Sequence, residues 1–147
     1  MKGLVSIPLA DKAKLEVLSI NENPGDCAAL RSIMGHTNWV FHCEPDLSRA
    51  MQFLATHFVP VVTCSKQLPG GTWEDVVAAV RRFANPPEVL VYARQADEVL
   101  WMQVLNAGAY DLLRVPFEQQ EVLRVISLAY RAWKDRAKVS MSMKAAS

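Results

Sequence analysis

The chain has 147 residues, 51% hydrophobic and 21% charged, enough for one globular domain with a proper core and too few for two. With 16 Lys and Arg against 15 Asp and Glu, no net field draws it to nucleic acid, an anionic membrane or an acidic substrate. Cys27, Cys43 and Cys64 are odd in number and lack CxxC spacing, which fits a reducing, cytoplasmic compartment, and no run is long enough for a membrane span.

Residues 1–14 read as a short N-terminal extension, because the apolar stretch there is broken by Pro8 and is too short for a signal sequence. Five β-like runs then alternate with segments of helical periodicity. The strands are expected at Leu15 to Ile20, Trp39 to His42, Pro60 to Cys64, Glu88 to Tyr92 and Asp111 to Arg114. The helices are expected over residues 24–35, 46–57, 72–84, 96–107 and 118–135.

Punctuation supports these bounds. Asn23-Pro24 sets a proline in a first turn, Asp46 and Thr72 suit N-caps, Asn85-Pro86-Pro87 stops the third helix, and Gly108 suits a helix end. Strands that are apolar on both faces, such as Val-Leu-Val-Tyr, belong in a parallel sheet covered on each side. The fold class is therefore α/β, a doubly wound five-stranded parallel sheet of flavodoxin type with strand order 2-1-3-4-5, over residues 15–135. Residues 136–147 lose periodicity and read as a flexible tail.

In such sheets the functional site lies at the carboxyl ends of the strands. There the chain carries Leu68-Pro69-Gly70 after the third strand, and Ala107-Gly108-Ala109 and Pro116-Phe117 around the fifth. In order and separation these landmarks resemble the receiver domains of response regulators, whose third strand ends in Asp-x-x-x-Pro-Gly and whose fifth follows Ala-Gly-Ala and ends in Lys-Pro-Phe. The resemblance covers about residues 15 to 135.

It implies a phosphoacceptor Asp where this chain has Ser65, four residues before Pro69. The acidic pair that holds Mg²⁺ falls on Asn21 and Glu22, the Thr or Ser ending the fourth strand on Tyr92, and the Lys before Pro-Phe on Val115; the switch aromatic becomes Leu112. Phosphoryl transfer relies on positioning and on neutralising charge at the transferred oxygens, and Mg²⁺ takes hard oxygen ligands. With an acid, a second acid, a hydroxyl and a cation all replaced, no catalytic residue, no metal site and no cofactor are expected.

Each residue also has a plainer reading. Glu22 could bind a cation or simply be solvated, and Tyr92 could be a switch or a ring that fills the emptied pocket. Ser65 has no histidine placed beside it to act as a base, and Cys64 reads as an inert buried thiol. The fourth helix is apolar nearly all round: Val99, Leu100, Trp101, Met102, Val104 and Leu105 would form either an exposed interaction patch or a broad core face.

The expected function is that of a non-enzymatic pseudo-receiver of bacterial two-component-type phosphorelay signalling. It would not be phosphorylated by the usual Asp and Mg²⁺ route. It would act through a protein partner or homodimerisation at the face formed by the fourth helix, fifth strand and fifth helix. The alternative is an atypical regulator switched by a ligand or a modification other than at Asp in the old pocket. Neither nucleic acid nor membrane is an expected partner.

Overall fold

The computed structural model describes residues 15–146, with side chains through Val139; the expected N-terminal extension, 1–14, lies outside the described residues. Five parallel strands, β1 (Glu16–Ile20), β2 (Val40–Glu44), β3 (Val61–Ser65), β4 (Glu88–Ala93) and β5 (Asp111–Arg114), form one sheet in the order β2-β1-β3-β4-β5. The helices are α1 (Pro24–Met34), α2 (Leu47–Thr56), α3 (Trp73–Val80), α4 (Glu98–Asn106) and α5 (Gln119–Ala146). The doubly wound architecture is the one the alternating pattern predicts.

Successive strand residues point to opposite faces, so each strand feeds two cores. Val17, Val61, Leu90 and Tyr92 pack with Leu30 and Ile33 of α1 and Val122, Ile126 and Ala129 of α5. Leu18, Ile20, Val62, Cys64 and Val91 pack with Leu54 of α2, Val76 and Val80 of α3, and Leu100 and Val104 of α4. The register fixes which residues share the upper rim: Ser19 pairs with Thr63 and Cys43, and Ser65 with Tyr92.

Caps set the helix starts. The Asn23 carboxamide accepts from the N–H groups of Gly25 (2.8 Å) and Asp26 (3.1 Å), with Pro24 at the first helical position. Asp46 accepts from Arg49 N–H at 2.8 Å, Asp97 from Leu100 N–H at 2.8 Å, and the Thr72 N–H donates to the Asp75 carboxylate at 2.9 Å.

Three expectations need correction. The segment after β3, read as a loop, contains a small antiparallel hairpin in which Gln67–Leu68 pairs with Gly71–Thr72, closed by Gly70 at φ 77. The third helix stops at Val80, before the predicted 84. The fifth continues past 135 to Ala146 instead of giving way to a flexible tail. Arg136 lies just beyond the predicted end, where it bonds the Glu88 carboxylate at 2.5 Å and the Pro86 carbonyl. This side-chain anchor to the start of β4 has no periodic signature in the sequence.

Candidate functional site

At the carboxyl rim of the sheet, Asn21 follows β1 and is buried. Its Nδ2 donates to Ser19 Oγ at 3.0 Å and approaches Cys43 Sγ at 3.8 Å, while its Oδ1 has no partner. Glu22, next along the chain, is exposed. A carboxylate open to water beside a neutral amide offers no hard-ligand cage, and no cluster of three or more His, Cys, Asp or Glu suited to a metal occurs among the described residues.

Ser65 ends β3, half-buried, directly across the ladder from Tyr92. A serine hydroxyl needs a base to become a nucleophile. His42 instead faces Glu16, with Nε2 3.0 Å from Oε1, and His57 stacks on Phe53 at 3.8 Å between ring centroids; both stand on the β2 and α2 side of the molecule.

Tyr92 is the largest fully buried side chain. Its ring lies in the core under α1 and α5 and meets Phe117 edge-on at 5.0 Å. Its hydroxyl is buried without a well-formed hydrogen bond, and Thr63 Oγ1 is likewise unpaired. Burial pushes the phenol well above its ordinary range, an effect that neighbouring Ser19 offsets and Asp26 adds to. Val115 is buried in the same core and donates its N–H to the Ala93 carbonyl at 3.1 Å. A valine at this position completes an apolar wall, where an ammonium without its carboxylate would be an unpaired buried charge. Leu112 is half-buried against the opposite core.

Sequence reasoning missed one pair. Arg94, just after β4, donates to the buried Asp26 carboxylate in the first turn of α1 at 2.8 Å. Each residue sits where element boundaries put the carboxyl rim, but a contact across 68 positions leaves no local pattern. This acid and this cation at the rim neutralise each other.

On the neighbouring face, a groove of about 430 Å³ runs between α4, β5 and the start of α5, lined by Trp101, Leu112, Arg114 and Pro116 among others. Val99 is 64% exposed, Met102 57% and Trp101 44%, and the Trp101 indole N–H donates to Asp111 at 3.0 Å. Leu100 and Val104, expected within the same patch, are instead buried at 5% and 0% exposure. They lie on the stripe of α4 that meets the sheet, so the exposed patch is narrower than composition suggests. Leu128 of α5 is an exposed apolar residue that the sequence reading does not assign to the face.

No protein-family model and no curated protein matches the chain. Solved structures do. The signal receiver domain of an HD domain-containing protein from Pseudomonas fluorescens Pf-5 superposes with a TM-score of 0.77 at 20% identity, covering 86% of this chain and 93% of that one. The chain has the receiver fold. The beryllofluoride-activated NtrC4 receiver domain dimer gives a TM-score of 0.74 at 19% identity over 80% of this chain and 98% of that one. The chemotaxis response regulator CheY4 of Vibrio cholerae gives 0.72 at 15% over 79% and 98%.

Because the Tyr92 hydroxyl is buried unpaired, Tyr92→Phe is expected to leave stability unchanged or raise it by up to ~1 kcal/mol. The native phenol holds its proton after the unfolded one ionises, so wild-type stability is lost as pH rises above about 10, and the substitution lessens that loss. Urea unfolding of both proteins at neutral and alkaline pH checks this; a destabilisation of several kcal/mol at neutral pH would mean the hydroxyl has a partner.

Proposed function

We propose that this chain is a pseudo-receiver of two-component-type signalling that acts through protein contacts instead of phosphoryl transfer. The observation that carries this reading is the rim itself: Ser65 at the phosphoacceptor position, a valine at the lysine position, and a buried Tyr92 ring in the adjoining core. Serine offers no carboxylate to form an acyl phosphate. A lone exposed Glu22 leaves Mg²⁺ without the paired acids it favours. Val115 has no charge to stabilise the transferred oxygens, a charge-assisted bond worth roughly 1.5 to 3 kcal/mol. Losses that agree with one another point to a site given up as a unit.

The α4, β5 and α5 face supports docking as the remaining activity. Trp and Met are enriched at protein interfaces, and Trp101 is held in place by Asp111 while much of its ring stays open. Acids around the groove have a second role: Asp97 caps α4, and Glu118 accepts from the Gln120 and Glu121 N–H groups at 3.2 and 2.8 Å. The apolar residues Val99, Trp101 and Met102 are thus the surface left for a partner or a second copy. The NtrC4 receiver in the comparison is a dimer.

A specific observation favours a second reading, an atypical regulator that responds to a ligand in the old pocket. Asn21 Oδ1, Thr63 Oγ1 and the Tyr92 hydroxyl are all buried and unpaired, and such groups ordinarily find a partner. Thermal-shift measurements with nucleotides, phosphates and small anions separate the two: the docking reading expects no change in unfolding temperature, and a saturable rise would favour the second.

Incubation with acetyl phosphate, or with beryllofluoride and Mg²⁺, is expected to leave the mass and the tryptophan fluorescence of the protein unchanged. A stoichiometric acid-labile adduct would overturn the main proposal. For the docking face, light scattering should show that Trp101→Ala shifts any self-association toward monomer or weakens capture by a partner at least several-fold, as expected of an aromatic anchor; full retention would remove this face from the proposal.

A further inference from the structure

On the far flank of the rim, two cysteines that play no part in the docking reading are brought together by α1 and β2. The Arg31 guanidinium lies 5.1 Å from the centre of the Phe41 ring and its Nη2 is 3.9 Å from Cys27 Sγ. Cys27 and Arg31 are four apart on α1 and share a stripe, while Phe41 and Cys43 are two apart on β2 and share a face. A crossover helix runs back against its strands. The step of about 6 Å from Arg31 to Cys27 therefore matches the step of about 6.6 Å from Phe41 to Cys43. Cys27 thus stands over Cys43, close enough to act on its thiol.

The surroundings differ for the two sulfurs. Cys27 borders an open surface with Pro24, Ala28 and Arg31, and the guanidinium N–H approaches its sulfur. Partly exposed cysteines beside a cation are the ones oxidants reach first. Cys43 is likewise half-buried, with Asn21 Nδ2 at 3.8 Å. Burial, reinforced by Cys27, pushes its thiol up to about 12, so it carries its proton at neutral pH. Cys64 is fully buried in the opposite core.

We propose that Cys27 and Cys43 form a thiol-oxidation site on the flank of the emptied pocket, closing to an intramolecular disulfide when a peroxide is the oxidant. In the first step Cys27 sulfur attacks hydrogen peroxide; the O–O bond breaks, Cys27 becomes a sulfenic acid and one water leaves. In the second, Cys43 sulfur attacks the Cys27 sulfur; the S–O bond breaks, a second water leaves and the S–S bond forms. Two thiols are oxidised by two electrons in all and one peroxide is reduced to two waters. Because Asn21 touches Cys43 and forms part of the rim, closure changes the polar surroundings of the old pocket without any phosphoryl group.

The test uses the full chain, reduced and then exposed to hydrogen peroxide, denatured and alkylated. The expected result is a monomer 2 Da lighter in which only one cysteine, Cys64, takes the label, with a Cys27 to Cys43 linked peptide that dithiothreitol separates. In Cys43→Ser, peroxide should leave a sulfenic acid at Cys27 that dimedone captures on the order of tenfold more than in wild type, and Cys64→Ser should retain the link. Full alkylation of Cys27 and Cys43 after peroxide, sulfinic acid in place of the link, or dimers joined only through Cys27 would overturn the proposal. None of these outcomes bears on whether Ser65 can be phosphorylated, so this inference and the pseudo-receiver reading fail separately.

Discussion

A parallel sheet buried on both faces forces every strand to divide its side chains between two cores, and the rest of this molecule follows from that alternation. β3 sends Val61 toward α1 and α5 and Val62 and Cys64 toward α2, α3 and α4; β4 sends Leu90 and Tyr92 one way and Val89 and Val91 the other. At the carboxyl rim the same rule decides what lines the mouth. Ser19, Thr63 and Tyr92 share one face, and the polar atoms gathered there are only partly satisfied. A shift of one residue in any strand would send each side chain to the opposite core and break the packing of both.

On the proposed reading, the rim keeps a receiver scaffold without its chemistry. A functional receiver mouth would need charges of both signs held apart, which costs stability unless ligands complete them. Here the strand ends carry a serine, an amide, an aromatic ring and a valine, and two of the four are core residues in their own right: Tyr92 at 1% exposure and Val115 at 8%. At these two positions the side chains serve packing. The side-chain oxygens of Asn21, Thr63 and Tyr92 nearby stay buried without partners.

What the sequence disclosed and what it hid differ in range. Alternation of strand and helix, the helix starts at Asn23-Pro24, Asp46 and Thr72, and Gly108 at φ 103 all arise within a few residues, and local pattern carries them. The expectations for Ser65, Asn21, Tyr92 and Val115 rest on family landmarks around Pro69 and Pro116, which fixed where to look. Long-range side-chain partnerships were not: Asp26 with Arg94, Arg136 with Glu88, and Cys27 with Cys43 each join distant segments without altering periodicity. The fourth helix lies between these cases. Its apolar residues were evident, but only the packing direction separates Leu100 and Val104, which face the sheet, from Val99 and Met102, which do not.

The Asp26 to Arg94 ion pair also sets a toll on anything approaching the mouth. The guanidinium is more than half exposed while the carboxylate is nearly enclosed, so anything that drew Arg94 away would strand Asp26 as a buried anion with no counterion, a strongly unfavourable outcome. One side chain thus faces solvent at the mouth and keeps an enclosed carboxylate in charge balance, which pins the first turn of α1 to the end of β4.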